Sequence, residues 1–207
     1  MTAIVLTANL IFGLLAGLAL TRDRFVGRRL LDALVDLPLA VSPVMTGLSL
    51  LVLFGRGGWL AGPLAAAGIV VPFRFPALVL ATLFVTLPFA VREVALVLDQ
   101  LGATEEEAAT TLGASPWQTF WRVTLPNVRR ALAIGGTLTT ARALGEFGAV
   151  LVVGGAIAGR TQTATTFIHT AMEERQEPAA YAMSLVLAAL AVALLGALER
   201  LGAEETA

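Results

Sequence analysis

The chain has 207 residues, of which 57% are hydrophobic and only 14% are charged, and its formal net charge is −1. Soluble domains are about 45–50% apolar with about a quarter of their residues charged, so this composition indicates an integral membrane protein. The balanced charge gives no reason to expect nucleic acid as a partner. The absence of cysteine excludes disulfides and thiolate metal sites, and the single histidine disfavours a histidine-based metal cluster. No cofactor or metal is expected.

Five segments are long and apolar enough to be membrane-spanning helices, since about 20 mainly apolar residues cross a bilayer. The predicted spans are 3–20, 37–54, 76–98, 131–153 and 179–198. The sequence therefore predicts an all-α, polytopic membrane helix bundle, with residues 1–207 forming a single transmembrane domain. A long polar loop separates the third and fourth spans.

The arginines predict the orientation of this bundle, because short cytoplasmic loops collect Lys and Arg. Alternating the spans places most of them on one side, together with the long loop and the C-terminus: Arg22, Arg24, Arg28, Arg29, Arg92, Arg122, Arg129, Arg130 and Arg200. That side is predicted to be cytoplasmic. The outer side receives Arg56, Arg74, Arg160 and Arg175, which either steer an anion, dock a binding protein, or are simply solvated.

The stretch 104–126 contains start and end signals for two short helices. Thr104 with Glu107 predicts a capping box at the start of the first helix. Gly113 is predicted to end that helix, because glycine readily adopts the left-handed backbone conformation found after many helices. Ser115 predicts a second start, followed by proline and by glutamine at the capping-box position. Leu125–Pro126 is predicted to end the second helix.

Both helices are too short and too polar to cross a membrane, so they are predicted to lie along its surface. The aromatic face of the second helix would touch protein or the interfacial zone; it comprises Trp117, Phe120 and Trp121. The outer face would be available to a partner; it comprises Glu105, Glu106, Ala108, Ala109 and Ala114. A passive tether between two spans is the alternative interpretation.

The spacing of this stretch resembles the EAA loop of ABC importer permeases, with Val123 where the family pattern has isoleucine. The resemblance implies that 102–126 is a cytoplasmic coupling loop whose two helices lie in a cleft of an ATPase subunit. It implies that Gly113 sets the bend and that Glu107 helps to fix the shape of the loop. The coupling residues it implies are Glu107, Ala108, Ala109, Gly113, Ala114, Leu125 and Pro126.

Three longer stretches, 30–60, 84–94 and 141–155, resemble the sulfate/thiosulfate and molybdate branch of these permeases. The resemblance implies a permease subunit that imports a tetrahedral oxyanion across a bacterial or archaeal cytoplasmic membrane. Sulfate or thiosulfate is favoured, and molybdate or tungstate is the alternative. The implied partners are ABC ATPase subunits, a sister or identical permease, an extracytoplasmic oxyanion-binding protein and the lipid bilayer. Relatives carry one more N-terminal span, so we expect either a truncated start or a shortened member.

Arg142 and Glu146 are four residues apart in the fourth predicted span and can pair. A lone charge at the bilayer centre costs about 2.5–3.5 kcal/mol, so pairing inside the bundle is expected. The pair could lie beside the translocation path or only hold helices together. The neighbouring Gly145 and Gly148 would allow close helix approach.

Kinks in the predicted spans are expected at Pro38, Pro43 and Pro88.

No catalytic residue is predicted. Since no GxxxxGK motif occurs, ATP would have to be bound by another chain. Two competing hypotheses are an intramembrane serine protease, using Ser49 or Ser184 with His169, and a non-transport membrane scaffold. The protease is disfavoured because His169 is predicted in an outer loop, and co-purification with an ATPase would distinguish transport from the scaffold.

Overall fold

The computed structural model describes residues 1–23 and 25–203, with side chains described as far as residue 197. Arg24 and the side chain of Arg200, both used above to predict orientation, lie outside that description. Within it, all secondary structure is helical, which confirms the predicted all-α class. The helices are α1 (Thr2–Arg22), α2 (Arg28–Ala40), α3 (Pro43–Phe54), α4 (Ala61–Ala66), α5 (Phe75–Leu101), α6 (Thr104–Thr111), α7 (Pro116–Thr119), a π-helical segment (Phe120–Thr124), α8 (Leu125–Leu144), α9 (Gly148–Gly154), α10 (Ala164–Glu173) and α11 (Glu177–Ala203).

Helix α5 is the centre of the bundle and packs against α1, α2, α3, α8 and α9. Its buried residues run along its whole length, from Ala77 to Leu98. Near its C-terminal half, the Arg92 guanidinium holds α2 against it through ion pairs of 2.7 Å with both Asp32 and Asp36. Pro88 lies inside α5 without interrupting it.

The contact between α1, α5 and α8 is made by small residues. A Cβ on Gly13 would lie 2.7 Å from the Ala90 Cβ, and one on Gly135 would lie 3.0 Å from the Ala90 Cα. Gly17, one turn after Gly13, meets Val94 in the same way, at 2.7 Å. Helices in lipid associate by close van der Waals packing, for which glycine at four-residue spacing is suited. The three helices therefore approach to backbone contact at one level of the bundle.

A buried polar contact joins α1 to α5 as well. The Asn9 amide donates to the Thr86 hydroxyl at 2.6 Å, and that hydroxyl donates in turn to the Thr82 carbonyl oxygen. Asn9, Thr82 and Thr86 are completely buried. Because hydrocarbon offers no replacement partner, such a contact fixes the register of two membrane helices.

The structure does not confirm five continuous spans. By length and composition, three of the described helices could cross a membrane, namely Thr2–Arg22, Phe75–Leu101 and Glu177–Ala197, in agreement with the first, third and fifth predicted spans. The second predicted span, 37–54, is broken, since the helix axis bends by 118° between α2 and α3. Pro43 disfavours a helical conformation at Ser42, whose hydroxyl instead caps α3 by accepting from the Met45 N–H.

The fourth predicted span, 131–153, is broken too. Helix α8 ends at Leu144 and α9 begins at Gly148, and the Ala149 N–H donates to the Glu146 carboxylate at 3.0 Å. The break therefore forms because a side chain within the apolar run satisfies the start of a new helix. A Cβ on Gly148 would lie 3.2 Å from the Pro43 Cβ, so the predicted close approach is confirmed there, whereas Gly145 meets only its own helix.

Helix α11 is the least embedded of the long helices. It packs against α10 and α8, and most of its apolar side chains are exposed, among them Leu185, Val192 and Leu195. A long apolar helix with an exposed surface fits contact with lipid or with another membrane subunit.

We predict that Gly13→Val destabilises the protein by about 3 kcal/mol, the upper end of overpacking costs, because the new side chain meets the backbone of Ala90. Thermal unfolding of the detergent-purified protein measures this effect. Gly196→Val in α11 is the control, since a Cβ there enters open space. Equal melting temperatures for the two variants would contradict the packing interpretation.

Candidate functional site

The loop between α5 and α8 leaves the apolar body of the bundle at Gly102, which has φ +64°. Helix α6 begins directly afterwards, but its N-cap is Ala103, not Thr104, and no side chain caps it. The predicted capping box between Thr104 and Glu107 is therefore wrong. Thr104 is already helical, so its hydroxyl is not placed to accept from the N–H three residues later.

Gly113 ends α6 as predicted, with φ +86°. Its N–H donates to the Thr110 carbonyl, and the Ala114 N–H donates to the Ala109 carbonyl at 3.0 Å. These two bonds form a Schellman motif, which requires a left-handed residue that glycine adopts without steric cost. The bend between the two short helices is thus fixed by the backbone.

The second short helix also begins as predicted. The Ser115 hydroxyl accepts from the Gln118 N–H, and the Gln118 side chain accepts from the Ser115 N–H at 2.9 Å. The predicted aromatic face is present too, with the Trp121 ring 5.5 Å from both the Trp117 and the Phe120 ring centroids. The two tryptophans are exposed at 69% and 50%, so this face is open in the isolated chain.

Leu125–Pro126 does not end this helix, contrary to the prediction. The chain remains helical from Pro116 to Leu144, passing through the π-helical segment Phe120–Thr124. Proline lacks an N–H and its ring would clash with the carbonyl of the preceding turn, and one wider turn accommodates both effects. The second short helix therefore continues into α8.

A group of polar contacts, named here the Arg22 clamp, fixes the loop to the bundle. The Arg22 guanidinium, at the end of α1, forms an ion pair of 2.8 Å with Glu106 and donates to the carbonyl oxygens of Leu98 and Gly102. The other oxygen of Glu106 accepts from the Thr124 hydroxyl at 2.7 Å. The Arg22 clamp thus connects α1, the end of α5, α6 and the segment leading into α8.

Of the three consecutive glutamates, Glu106 departs from its predicted position. Glu105 accepts from the Asn127 amide, and Glu106 lies inside the Arg22 clamp instead of on an outer face. Glu107 is exposed, and within the described residues its carboxylate makes no ion pair or side-chain hydrogen bond. The side chain that fixes the loop is Glu106, a contact that local spacing could not reveal because Arg22 is far away in the sequence.

Of the other coupling residues implied by the sequence, Ala108, Gly113 and Pro126 are exposed. Ala109, Ala114 and Leu125 are partly buried, and Leu125 packs against the buried cluster that includes Val94 and Leu98 of α5. A residue that sequence reasoning passed over, Leu112, is 89% exposed at the bend.

We predict that Glu106→Ala increases amide hydrogen exchange over 104–124 about tenfold, because a clamp hydrogen bond to a charged group contributes about 1.5–3 kcal/mol. Hydrogen-exchange mass spectrometry of the detergent-purified chain measures the change. Glu107→Ala is the matched control and should leave exchange unchanged. Equal exchange in the two variants would show that the clamp does not hold the loop.

Arg142 and Glu146 do pair, with 2.6 Å between the guanidinium Nη1 and the carboxylate Oε2. They do so across the break between α8 and α9, not along one continuous helix. The Glu146 side chain is 1% exposed, and its backbone carbonyl accepts from the Thr165 hydroxyl at 2.6 Å. Glu146 therefore joins α8, α9 and α10 while its charge is balanced by Arg142.

We predict that Arg142→Ala destabilises the protein by about 3 kcal/mol, the lower end for a broken buried pair because Arg142 is partly exposed. Adding Glu146→Gln should restore part of this loss, since no uncompensated charge then remains buried. Thermal unfolding of both variants tests the prediction. A double variant less stable than Arg142→Ala alone would contradict it.

The residues of the protease hypothesis do not come together. His169 is on α10, not in a loop, where it lies 3.4 Å from the Glu173 carboxylate and against the Phe147 ring. The Ser184 hydroxyl donates to the Ala180 carbonyl oxygen of its own helix. Among the described residues, no group of three or more His, Asp or Glu side chains could hold a metal ion.

Comparison with known proteins gives consistent matches over nearly the whole chain. Residues 9–202 match the family model described as "Binding-protein-dependent transport system inner membrane component". The chain is 51% identical to sulfate permease 2, chloroplastic, of Chlamydomonas reinhardtii, over 90% of this chain and 51% of that protein. It is 48% identical to the sulfate transport system permease protein CysW of Synechocystis, over 94% of this chain and 71% of that protein.

A further relative is the sulfate transport system permease protein CysT of Escherichia coli, which is 44% identical over 90% of this chain and 68% of that protein. The chain thus spans about half the length of the chloroplast relative and about 70% of the bacterial ones. The fold is similar to that of a bacterial ABC transporter that imports alginate, with a TM-score of 0.72 at 17% identity, over 100% of this chain and 78% of that one.

Proposed function

Because the chain belongs to the family of binding-protein-dependent transport system inner membrane components, we propose that it is the permease subunit of an ATP-driven oxyanion importer. The observation that carries this proposal is the exposed two-helix loop, held to the membrane helices by the Arg22 clamp. The proposed substrate is sulfate, since the relatives at 44–51% identity are named sulfate permeases. Thiosulfate and molybdate or tungstate are the alternatives of similar charge and shape.

The loop is proposed to be the surface on which a separate ATPase subunit binds. Leu112 and Trp117 are strongly exposed, and Glu107 and Ala108 lie exposed beside them. An exposed apolar surface on a polar loop marks a protein contact, since its own fold leaves it in unfavourable contact with water. The chain carries no nucleotide-binding motif, so the energy of ATP would have to enter through such a contact.

The path of the movement follows from helix continuity. Because the helix runs from Pro116 to Leu144, a displacement of the loop enters α8 along its axis. Helix α8 is about 30 Å long at 1.5 Å per residue, so its far end, with Arg142, would move with the loop. The Arg22 clamp would make α1 and α5 follow. We propose that the break held by Glu146 is where this movement changes the shape of the outer end.

The remaining partners follow from the family and from the exposed surfaces. The loop side is proposed to be cytoplasmic, together with the C-terminus, in a bacterial-type inner membrane. An identical or sister permease would cover apolar surface such as that of α11. One solved structure of the alginate importer contains a substrate-bound periplasmic protein, and we propose an equivalent oxyanion-binding protein at the outer face here.

We predict that Leu112→Arg abolishes co-purification with the ATPase while leaving the permease folded, because the fold does not use this side chain. Val26→Arg, in the loop before α2, is the matched control, since Val26 is a fully exposed apolar residue on the same proposed side. Pull-down of the tagged ATPase subunit measures the difference. Retention of the ATPase by Leu112→Arg would contradict the docking surface.

Uptake of radiolabelled sulfate into proteoliposomes containing the complete complex tests the function itself. Competition with unlabelled thiosulfate or molybdate orders the alternatives by affinity. A complex that assembles but imports none of these oxyanions would exclude the proposed activity, and a chain that never assembles with an ATPase would instead be a scaffold.

A further inference from the structure

A cavity beside the start of α5 contains two arginines that the proposed function does not use. Arg74 is the N-cap residue of α5, and Arg160 lies in the loop between α9 and α10. Both line a single cavity of about 510 Å³. The rest of its described lining consists of apolar side chains and glycine, including Phe73 and Phe75, and contains no acidic residue.

The two guanidinium groups are not neutralised by the described part of the chain. Arg22, Arg92 and Arg142 each have a carboxylate within 2.8 Å, whereas neither Arg74 nor Arg160 forms an ion pair there. Both arginines are exposed, and two like charges lining one cavity repel each other. An anion between them would remove that repulsion.

Arg74 is held by a constrained backbone. The preceding residue, Phe73, has φ +57°, a conformation that side chains other than glycine seldom adopt. The Phe73 N–H donates to the Val153 carbonyl at 2.9 Å, and its ring lies so close to Gly155 that a Cβ there would be 3.0 Å away. The loop bearing Arg74 is therefore attached to the end of α9.

Arg160 is held in a comparable way. It follows Gly159, which has φ +71°, and its N–H donates to the Ile157 carbonyl at 3.0 Å. The neighbouring Thr161 hydroxyl donates to the Gly154 carbonyl at 2.6 Å and accepts from the Ile157 N–H. Two arginines on fixed loops need lose little backbone freedom when they bind a shared ligand.

The start of α5 adds to the positive potential of the cavity. Phe75 and Pro76 form both its first helical residues and part of the cavity lining, and no side chain caps this end. The N-terminus of a long helix carries partial positive charge and favours anions. This contribution is independent of the arginines.

We propose that the Arg74–Arg160 cavity is an anion-receiving site that takes a tetrahedral dianion such as sulfate before it enters the bundle. Guanidinium is weakly hydrated and matches oxyanions with paired hydrogen bonds, so two of them suit a dianion. The inference rests on the proposed function for its substrate class and orientation. Helix α5 is about 40 Å long at 1.5 Å per residue, which puts this site at the opposite end from the loop.

A second cavity adjoins the site. Arg160 and Phe75 line a second cavity, of about 310 Å³, whose wall includes Glu146. The Glu146 carboxylate would repel an anion, but its pairing with Arg142 offsets that charge. An oxyanion released from the first cavity would therefore meet the break between α8 and α9, the part that α8 is proposed to move.

Arginine modification of the purified chain tests binding directly. Phenylglyoxal labelling is followed by mass spectrometry in sodium sulfate and in sodium chloride of equal ionic strength. At a sulfate concentration about ten times the dissociation constant of the site, about a tenth of the sites remain free. Labelling of Arg74 and Arg160 is therefore expected to fall about tenfold. Arg56 and Arg175, exposed on the same proposed side, are the control and should label equally. Equal labelling of all four, or equal protection by chloride, would overturn the site.

A transport measurement then tests its use. In proteoliposomes of the complete complex, Arg74→Gln combined with Arg160→Gln is expected to slow sulfate uptake about tenfold, the lower end of electrostatic focusing. Affinity for the oxyanion-binding protein should stay unchanged, and Arg175→Gln is the control. Unchanged uptake would overturn the proposal, and so would a roughly tenfold loss of affinity for the binding protein that accounts for the slower uptake. If the native complex imports no sulfate, the proposed function fails, while the labelling experiment still reports on the site.

Discussion

The Arg22 clamp is the contact on which the position of the whole loop depends. The last carbonyl groups of a helix have no partner within it, and the Arg22 guanidinium satisfies two of them at the end of α5. The same planar group pairs with Glu106, which also accepts from Thr124. Without this contact the start of α6 would be joined to α5 through Gly102, whose backbone is permissive. With it, the loop is attached to α1 and to the end of α5 as well as to α8.

The packing below the loop is consistent with the movement proposed for it. Gly13, Gly17 and Gly135 bring α1 and α8 to close contact with α5, so little space separates the helices at that level. The buried bond between Asn9 and Thr86 fixes the sliding register of α1 and α5. Interiors packed in this way have low compressibility and transmit strain. In the movement proposed above, the region that changes shape is the break at residues 145–147, where regular helical bonding stops.

Much of the fold and part of the site could be predicted from local sequence. The apolar lengths predicted α1, α5 and α11 correctly, and Gly113 and Ser115 were identified by the backbone conformation and cap they provide. Three errors in the helix boundaries share a physical cause, because each depended on a competing local interaction. Ser42–Pro43 and Glu146 each start a new helix within an apolar run, and a π-helical turn before Pro126 lets the helix continue.

By itself, the sequence determined that this protein is a helical membrane bundle with a bent two-helix loop, because hydrophobic length, caps and glycine conformations are properties of neighbouring residues. Only the tertiary structure decided which glutamate holds the loop and which arginines share a cavity. Arg22 pairs with Glu106, and Arg74 and Arg160 line one cavity, in both cases across long sequence separations. Separations of that size follow from the packing of helices against one another, which no local pattern encodes.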